Sequence, residues 1–300
     1  MISVGIFTGY YPYSLAEVIS KIKRDGFNSV QLDLSFKDMD VNEHNLTREK
    51  AHIIRDAFRD ANLPIVGISG YTNIIHPNSK IREQNISGLK NLLRFARDLG
   101  TPYVISETGT YNVESDWVWD PKNGTEEAYE EVCKTIEDLA KFAYDHGSVF
   151  LVENYIQNVI GSVEQLTRLF HDVNHPGLGL LMDPTNYFTG DNINHVDDQI
   201  NHIFNTLGDK IKIAHAKDCK PAEDTSEKHA DIDAGESHTF RGAGAVELPA
   251  PGLGILNYDL YLQRLGKLHP NIPIIIEHLD EEDIPRAKKF LDGKLKKNGV

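Results

Sequence analysis

The chain has 300 residues, about twice the usual single-domain length, and one class of single domain routinely fills that length, the α/β barrel. Its composition, 40% hydrophobic, 25% charged and 9% aromatic, excludes a disordered, collagenous or disulfide-stapled protein. With 45 acidic against 31 basic residues the net charge is -14, which opposes binding to phosphate backbones and anionic headgroups and favours small-molecule or metal chemistry.

The chain enters an apolar run almost at once, with no basic stretch before it, so no signal peptide is expected. Further short apolar runs follow, and together they cover 2–7, 29–34, 64–68, 102–106, 149–152, 177–182, 210–214 and 272–276. Several lack polar alternation, as parallel strands covered on both faces do. Between them lie amphipathic helices with legible ends. Ser14-Leu15-Ala16-Glu17 and Ser162-Val163-Glu164-Gln165 read as capping boxes. Gly26, Gly100, Gly147, Gly208 and Gly266 read as left-handed helix stops. Ile86, Leu89, Leu93 and Ala96 form one packing stripe, and Val132, Ile136, Leu139 and Ala143 form another. No run approaches the roughly 18 apolar residues that span a bilayer, so no membrane partner is expected. Cys133 and Cys219 are the only cysteines and form no CxxC, which fits a reducing cytoplasm.

Eight β-then-α units without a compositional break predict an α/β fold, a single (β/α)8 TIM barrel over residues 1–300. No GxGxxG follows the first run, which counts against an open dinucleotide-binding sheet. The irregular part is a long loop after strand 7, residues 217–256, rich in Ala, Gly, Pro, Glu and Asp. Loops of that length act as lids, interfaces or binding segments.

Barrel chemistry sits at the C-terminal ends of the strands. There the last four runs carry Glu153, Asp183, His215 and Glu277, spaced 30, 32 and 62 residues apart. The last interval is one unit plus the long loop, so the ladder stays in phase. Taken singly, the His reads as a hydrogen-bonded core residue, the Asp before Pro184 as a turn cap and each Glu as half of an ion pair. As a phased set, on strands about 4.8 Å apart, they converge on one point. Three carboxylates and an imidazole suit Mn²⁺, Mg²⁺ or Co²⁺, with Zn²⁺ also possible, and leave positions open for substrate oxygens. Further site candidates are Glu107 after strand four and His76 after strand three. Trp117 and Trp119 offer an apolar stacking wall, while His229, His238 and Arg241 lie in the long loop.

Leu151-Val152-Glu153-Asn154, Leu181-Met182-Asp183-Pro184-Thr185-Asn186, His215-Ala216-Lys217-Asp218, Gly252-Leu253-Gly254-Ile255-Leu256-Asn257-Tyr258 and Ile275-Ile276-Glu277-His278 together resemble the xylose isomerase-like TIM barrels, the sugar phosphate isomerase/epimerase group. The resemblance runs from Ile6 to the final helix, and 69–73 and 107–111 are similar to one branch of the group. It implies that Glu153, Asp183, His215 and Glu277 bind one divalent metal, Mn²⁺ first, as the ketose 3-epimerases do. The metal would polarise vicinal sugar oxygens and stabilise an enediolate. Glu153 and Glu277 would then be the acid/base pair, and the expected partner is a small carbohydrate, bound by a monomer or a homo-oligomer.

Two positions depart from the 3-epimerases. Asn186 stands where they carry a substrate-contacting His, and an Arg they use after the strand-seven His has Lys217 or Arg241 as its nearest counterpart. Inosose dehydratase and C-glycoside-cleaving lyases resemble this pattern too, and they begin with the same proton abstraction. The related abasic-site endonucleases need further His ligands, one of them at Asn186, and the -14 charge opposes duplex DNA. A sugar-binding barrel without turnover is the non-enzymatic alternative.

Overall fold

The unalternating apolar runs form strands buried on both faces, and the amphipathic stretches form the helices that cover them. The computed structural model describes residues 1–222 and 246–300. Its barrel strands are β1 (Ser3–Phe7), β2 (Ser29–Leu32), β3 (Ile65–Ser69), β4 (Tyr103–Glu107), β5 (Val149–Glu153), β6 (Leu178–Met182), β7 (Ile211–Ala216) and β8 (Pro273–Ile276). Every neighbouring pair is parallel, and the sheet closes in sequence order with β8 beside β1. Outside it lie α1 (Leu15–Arg24), α2 (Arg48–Asp60), α3 (Ser79–Phe95), α4 (Glu126–Asp145), α5 (Val163–Asp172), α6 (Val196–Leu207), α7 (Tyr258–Leu268) and α8 (Ile284–Asn298). This is the expected (β/α)8 barrel. Among the described residues no helix is long and apolar enough to cross a membrane.

Local sequence signals account for most of the helix ends. Ser14 and Ser162 both close reciprocal capping boxes, and Gly26, Gly100 and Gly147 take positive φ of 81°, 97° and 70°. Two glycine readings fail. Gly208 is right-handed, because the chain there tightens into a 3-10 turn before β7, and Gly266 lies inside α7. At Gly266 a Cβ would meet Val300 at 2.5 Å, so close packing against the chain's end replaces the turn expected there. The 217–256 stretch is also less open than its composition suggests. Lys220–Pro221 pairs antiparallel with Val246–Glu247, and the buried Asp218 carboxylate accepts from Cys219, Gly252 and Leu256 N–H groups. His229, His238 and Arg241 lie outside the described residues.

Two apolar layers result. A large one packs strands against helices, and a small one, Ile105, Leu151, Leu181, Ile213 and Ile275, fills the barrel interior. Glycines make room for it. A Cβ on Gly67 would meet Ile213 and Ile105 side chains at 2.7 and 2.8 Å, and one on Gly5 would meet Ile275 at 2.5 Å, Ser29 Oγ at 2.6 Å and the Ser29 carbonyl at 2.9 Å. The carbonyl cannot step aside as a side chain does. Gly5→Ala should therefore lower stability by about 1–3 kcal/mol, while Gly293→Ala, in an open stretch of α8, should raise it by about 0.5–1 kcal/mol. Urea midpoints at unchanged slope measure both, and a neutral Gly5→Ala would contradict this packing.

Candidate metal centre

Side chains two residues apart on a strand share a face. One step beyond each member of the interior apolar layer stands a polar residue: Glu107 after Ile105, Glu153 after Leu151, Asp183 after Leu181, His215 after Ile213 and Glu277 after Ile275. The same step from Ser29 reaches Gln31 and from Gly67 reaches Ser69. The barrel thus has an apolar floor and a polar ring at its C-terminal end.

Within the ring, one ligand atom each from Glu153, Asp183, His215 and Glu277 lies within 4.8 Å of all the others. His215 Nδ1 stands 3.4 Å from Glu153 Oε1, 3.7 Å from Asp183 Oδ2 and 3.2 Å from Glu277 Oε2. Asp183 and His215 are fully buried, and Glu153 nearly so. Neutral donors hold the carboxylates in place. Glu153 Oε1 accepts from Asn186 Nδ2 at 2.9 Å, and Oε2 from Tyr71 OH at 2.5 Å. Asp183 Oδ1 accepts from the Thr185 N–H and hydroxyl, so the Asp-Pro turn cap and the site residue are one carboxylate serving both purposes. Gln31 gives its amide hydrogens to Ser69 and Tyr71 and turns Oε1 to His215 Nε2 at 2.8 Å. Nε2 therefore keeps its proton toward Gln31, and Nδ1 faces the carboxylates.

Two buried atoms, His215 Nδ1 and Asp183 Oδ2, have no aligned hydrogen bond. Lys217 Nζ lies 2.7 Å from Asp183 Oδ2 as an ion pair and donates to Asn186 Oδ1 at 3.0 Å. Burial resists charge on His215, yet Glu277 and Glu153 outweigh it and hold its proton affinity well above the ordinary value. Burial likewise opposes the Glu277 and Asp183 carboxylates. His215 and Lys217 nonetheless keep both below their usual range, with His215 dominant at Glu277 and Lys217 at Asp183. A cation at the common point would take the place of the second imidazole proton, the one on Nδ1, and meet the carboxylate oxygens that face it. The donor set fits a hard divalent ion.

The ring opens into a cavity of about 190 Å³. Glu107, Trp117, Asn186 and Lys217 line it, as do Phe7, Tyr10, Tyr71, Tyr155 and His278, which the sequence reading did not single out as site residues. Trp117 meets Tyr155 edge-on at 6.0 Å, and its loop is stapled by Asn73, whose Nδ2 donates to the Thr110 carbonyl and to Asp116. Tyr258 and Tyr261 of α7 donate to the Lys217 and His215 carbonyls and so fix the end of β7. His278 takes a left-handed φ of 59° directly after Glu277, and its N–H donates to Tyr10 OH. His76 is not on the cavity wall. Its Nδ1 accepts from the Asn78 N–H, because the chain has already turned away from the barrel to start α3. Trp119 is 42% exposed, lies beside Gly124 and lines no part of the cavity.

A family model described as a xylose isomerase-like TIM barrel matches residues 19–294. No curated protein matches the chain by sequence. Among solved structures, a D-tagatose 3-epimerase-like protein is 17% identical, with 99% of this chain and 98% of that one covered at a TM-score of 0.71. A probable 3-DHS dehydratase of Bacillus anthracis is 16% identical over 97% and 99%, also at 0.71. A xylose isomerase-like TIM barrel protein from Mycobacterium smegmatis, in complex with magnesium, is 16% identical over 98% and 95%, at 0.70. At these identities the likeness to the solved structures is one of fold.

Proposed function

We propose that this chain, which belongs to the xylose isomerase-like TIM barrel family, is a divalent-metal-dependent isomerase or epimerase of a small sugar. The observation that carries the reading is the four-residue ligand cluster, buried at one end of the barrel with its ligand atoms within 4.8 Å of one another. Glu153, Asp183, His215 and Glu277 would hold the metal, with Mn²⁺ or Mg²⁺ the best match for three carboxylates. When bound, the ion supplies Lewis-acid polarisation of neighbouring substrate oxygens.

The protein's own groups do the rest. Glu277, kept ionised beside His215 and Lys217, takes the proton from the carbon next to the carbonyl. Glu153, held by Asn186 and Tyr71, enters this direction as the protonated partner, delivers its proton from the other side and is left as the carboxylate, so the two exchange roles in the reverse direction. Return to the opposite face of the same carbon epimerises it, whereas return to the adjacent carbon isomerises the sugar. Lys217 Nζ, buried at the cavity wall, donates to a substrate oxygen, and Trp117 with Tyr155 covers an apolar sugar face.

Incubation of the Mn²⁺-loaded protein with free ketoses and aldoses in D₂O tests this. Deuterium should enter beside the carbonyl as the isomer accumulates, and chelation should abolish both. Loss of water without isomer formation would replace the proposal with a dehydratase, and absence of any exchange would remove it.

A further inference from the structure

Glu107 is the one carboxylate of the polar ring that lies outside the ligand cluster. It ends β4, pairs in register with Glu153 and lines the cavity at 8% exposure. Several other ring residues already have hydrogen-bond partners. Glu153 is hydrogen-bonded through both oxygens, Asp183 through Thr185, and Gln31 through both ends of its amide. Glu107 has neither a hydrogen bond nor an ion pair among the described residues. Its carboxyl borders the cavity, where water or a ligand hydroxyl can pair with it. The groups that would satisfy it must come through the cavity. The same strand leads into the loop that brings Trp117 to the cavity wall, so β4 and its loop supply a hydrogen-bonding carboxyl and an apolar plate on one side.

We propose that Glu107 is the specificity-determining residue of the cavity. Its carboxyl hydrogen-bonds a substrate hydroxyl beyond those held at the metal cluster and thereby selects an uncharged sugar by the configuration of that hydroxyl. This deepens the isomerase reading and rests on it. A site built to pair a hydroxyl discriminates through the loss incurred when the hydroxyl is missing or points elsewhere.

The test uses the full-length, Mn²⁺-loaded protein, Glu107→Ala and Glu107→Gln, with D-fructose, D-psicose, D-tagatose and D-sorbose as probes. These four differ only in hydroxyl configuration. Calorimetric Kd values, all taken with Glu277→Gln present so that the sugars are not interconverted during titration, should show the protein with native Glu107 preferring one of them by about tenfold or more. Glu107→Ala should lose about 10–100-fold for that sugar and bind the four within about threefold of one another. Glu107→Gln, which keeps an acceptor oxygen, should fall between. Both variants should take up Mn²⁺ with wild-type affinity and melt as cooperatively as the wild type, which separates the effect from misfolding. Unchanged Kd values and unchanged order in Glu107→Ala, or an equal loss for all four sugars, would overturn the assignment while deuterium exchange by the wild type upheld the isomerase reading. A wild type that binds none of the four and exchanges no deuterium would overturn both.

Discussion

Glu153→Gln and Glu277→Gln, made singly, should each lower turnover of an accepted sugar by about 10²–10⁴-fold, the usual contribution of a positioned acid or base. The substitution keeps the side chain's volume and removes its ability to carry a proton. At Glu153 the new amide can keep its oxygen toward Asn186 Nδ2 and donate its NH₂ to the Tyr71 oxygen, which keeps the side chain in place. Each residue is also a candidate ligand, so the rate must be read at saturating Mn²⁺ with occupancy measured in parallel. A loss that persists at full occupancy belongs to proton transfer. Either variant retaining more than about a tenth of wild-type turnover under those conditions would remove it from the acid/base pair.

Gln31→Leu should weaken Mn²⁺ binding by about 10–100-fold, although residue 31 touches no proposed ligand position on the metal side of the ring. Gln31 Oε1 is what holds the proton on His215 Nε2 and leaves Nδ1 for the centre. Leucine fills a similar volume and offers no acceptor, so the imidazole loses both its tautomer bias and its orientation. Gln31→Glu, which keeps an acceptor at the same reach, should bind within a few-fold of the wild type. Calorimetric titration of Mn²⁺ gives the affinities, and ¹⁵N shifts of His215 report the tautomer. Wild-type affinity in Gln31→Leu would show that the ring is oriented by other contacts.

The contrast between Glu277 and Gln31 marks how far sequence carried the reading. On β5 to β8 an ionisable residue follows an apolar run, and the cost of burying it makes the position conspicuous in the bare sequence. On β1 to β3 the corresponding residues are Phe7, Gln31 and Ser69, whose chemistry attracts no notice. Stepping two residues from each interior position finds all of them, but that requires knowing which face of each strand points inward. Gly5 and Gly67 are inward positions that carry no side chain to announce it. Lys217 was legible only through the family resemblance, as the nearest counterpart of the Arg that follows the strand-seven His. His76 misled because it follows β3 in sequence yet lies past the point where the chain leaves the barrel. Tyr258 and Tyr261 reach β7 from the far side of the long loop, a contact that no local spacing reveals.

The apolar floor has a kinetic consequence. Ile105, Leu151, Leu181, Ile213 and Ile275 are fully buried directly beneath the ring, so no solvent path runs up through the barrel axis. A hydrogen lifted from the sugar can return to it or escape, and escape leads only through the cavity mouth. The ratio of internal return to washout is therefore set by the loops that border the mouth, whereas the ring governs how fast the hydrogen is lifted. Mutations in those loops would register first as altered tritium loss from recovered substrate, ahead of any change in rate.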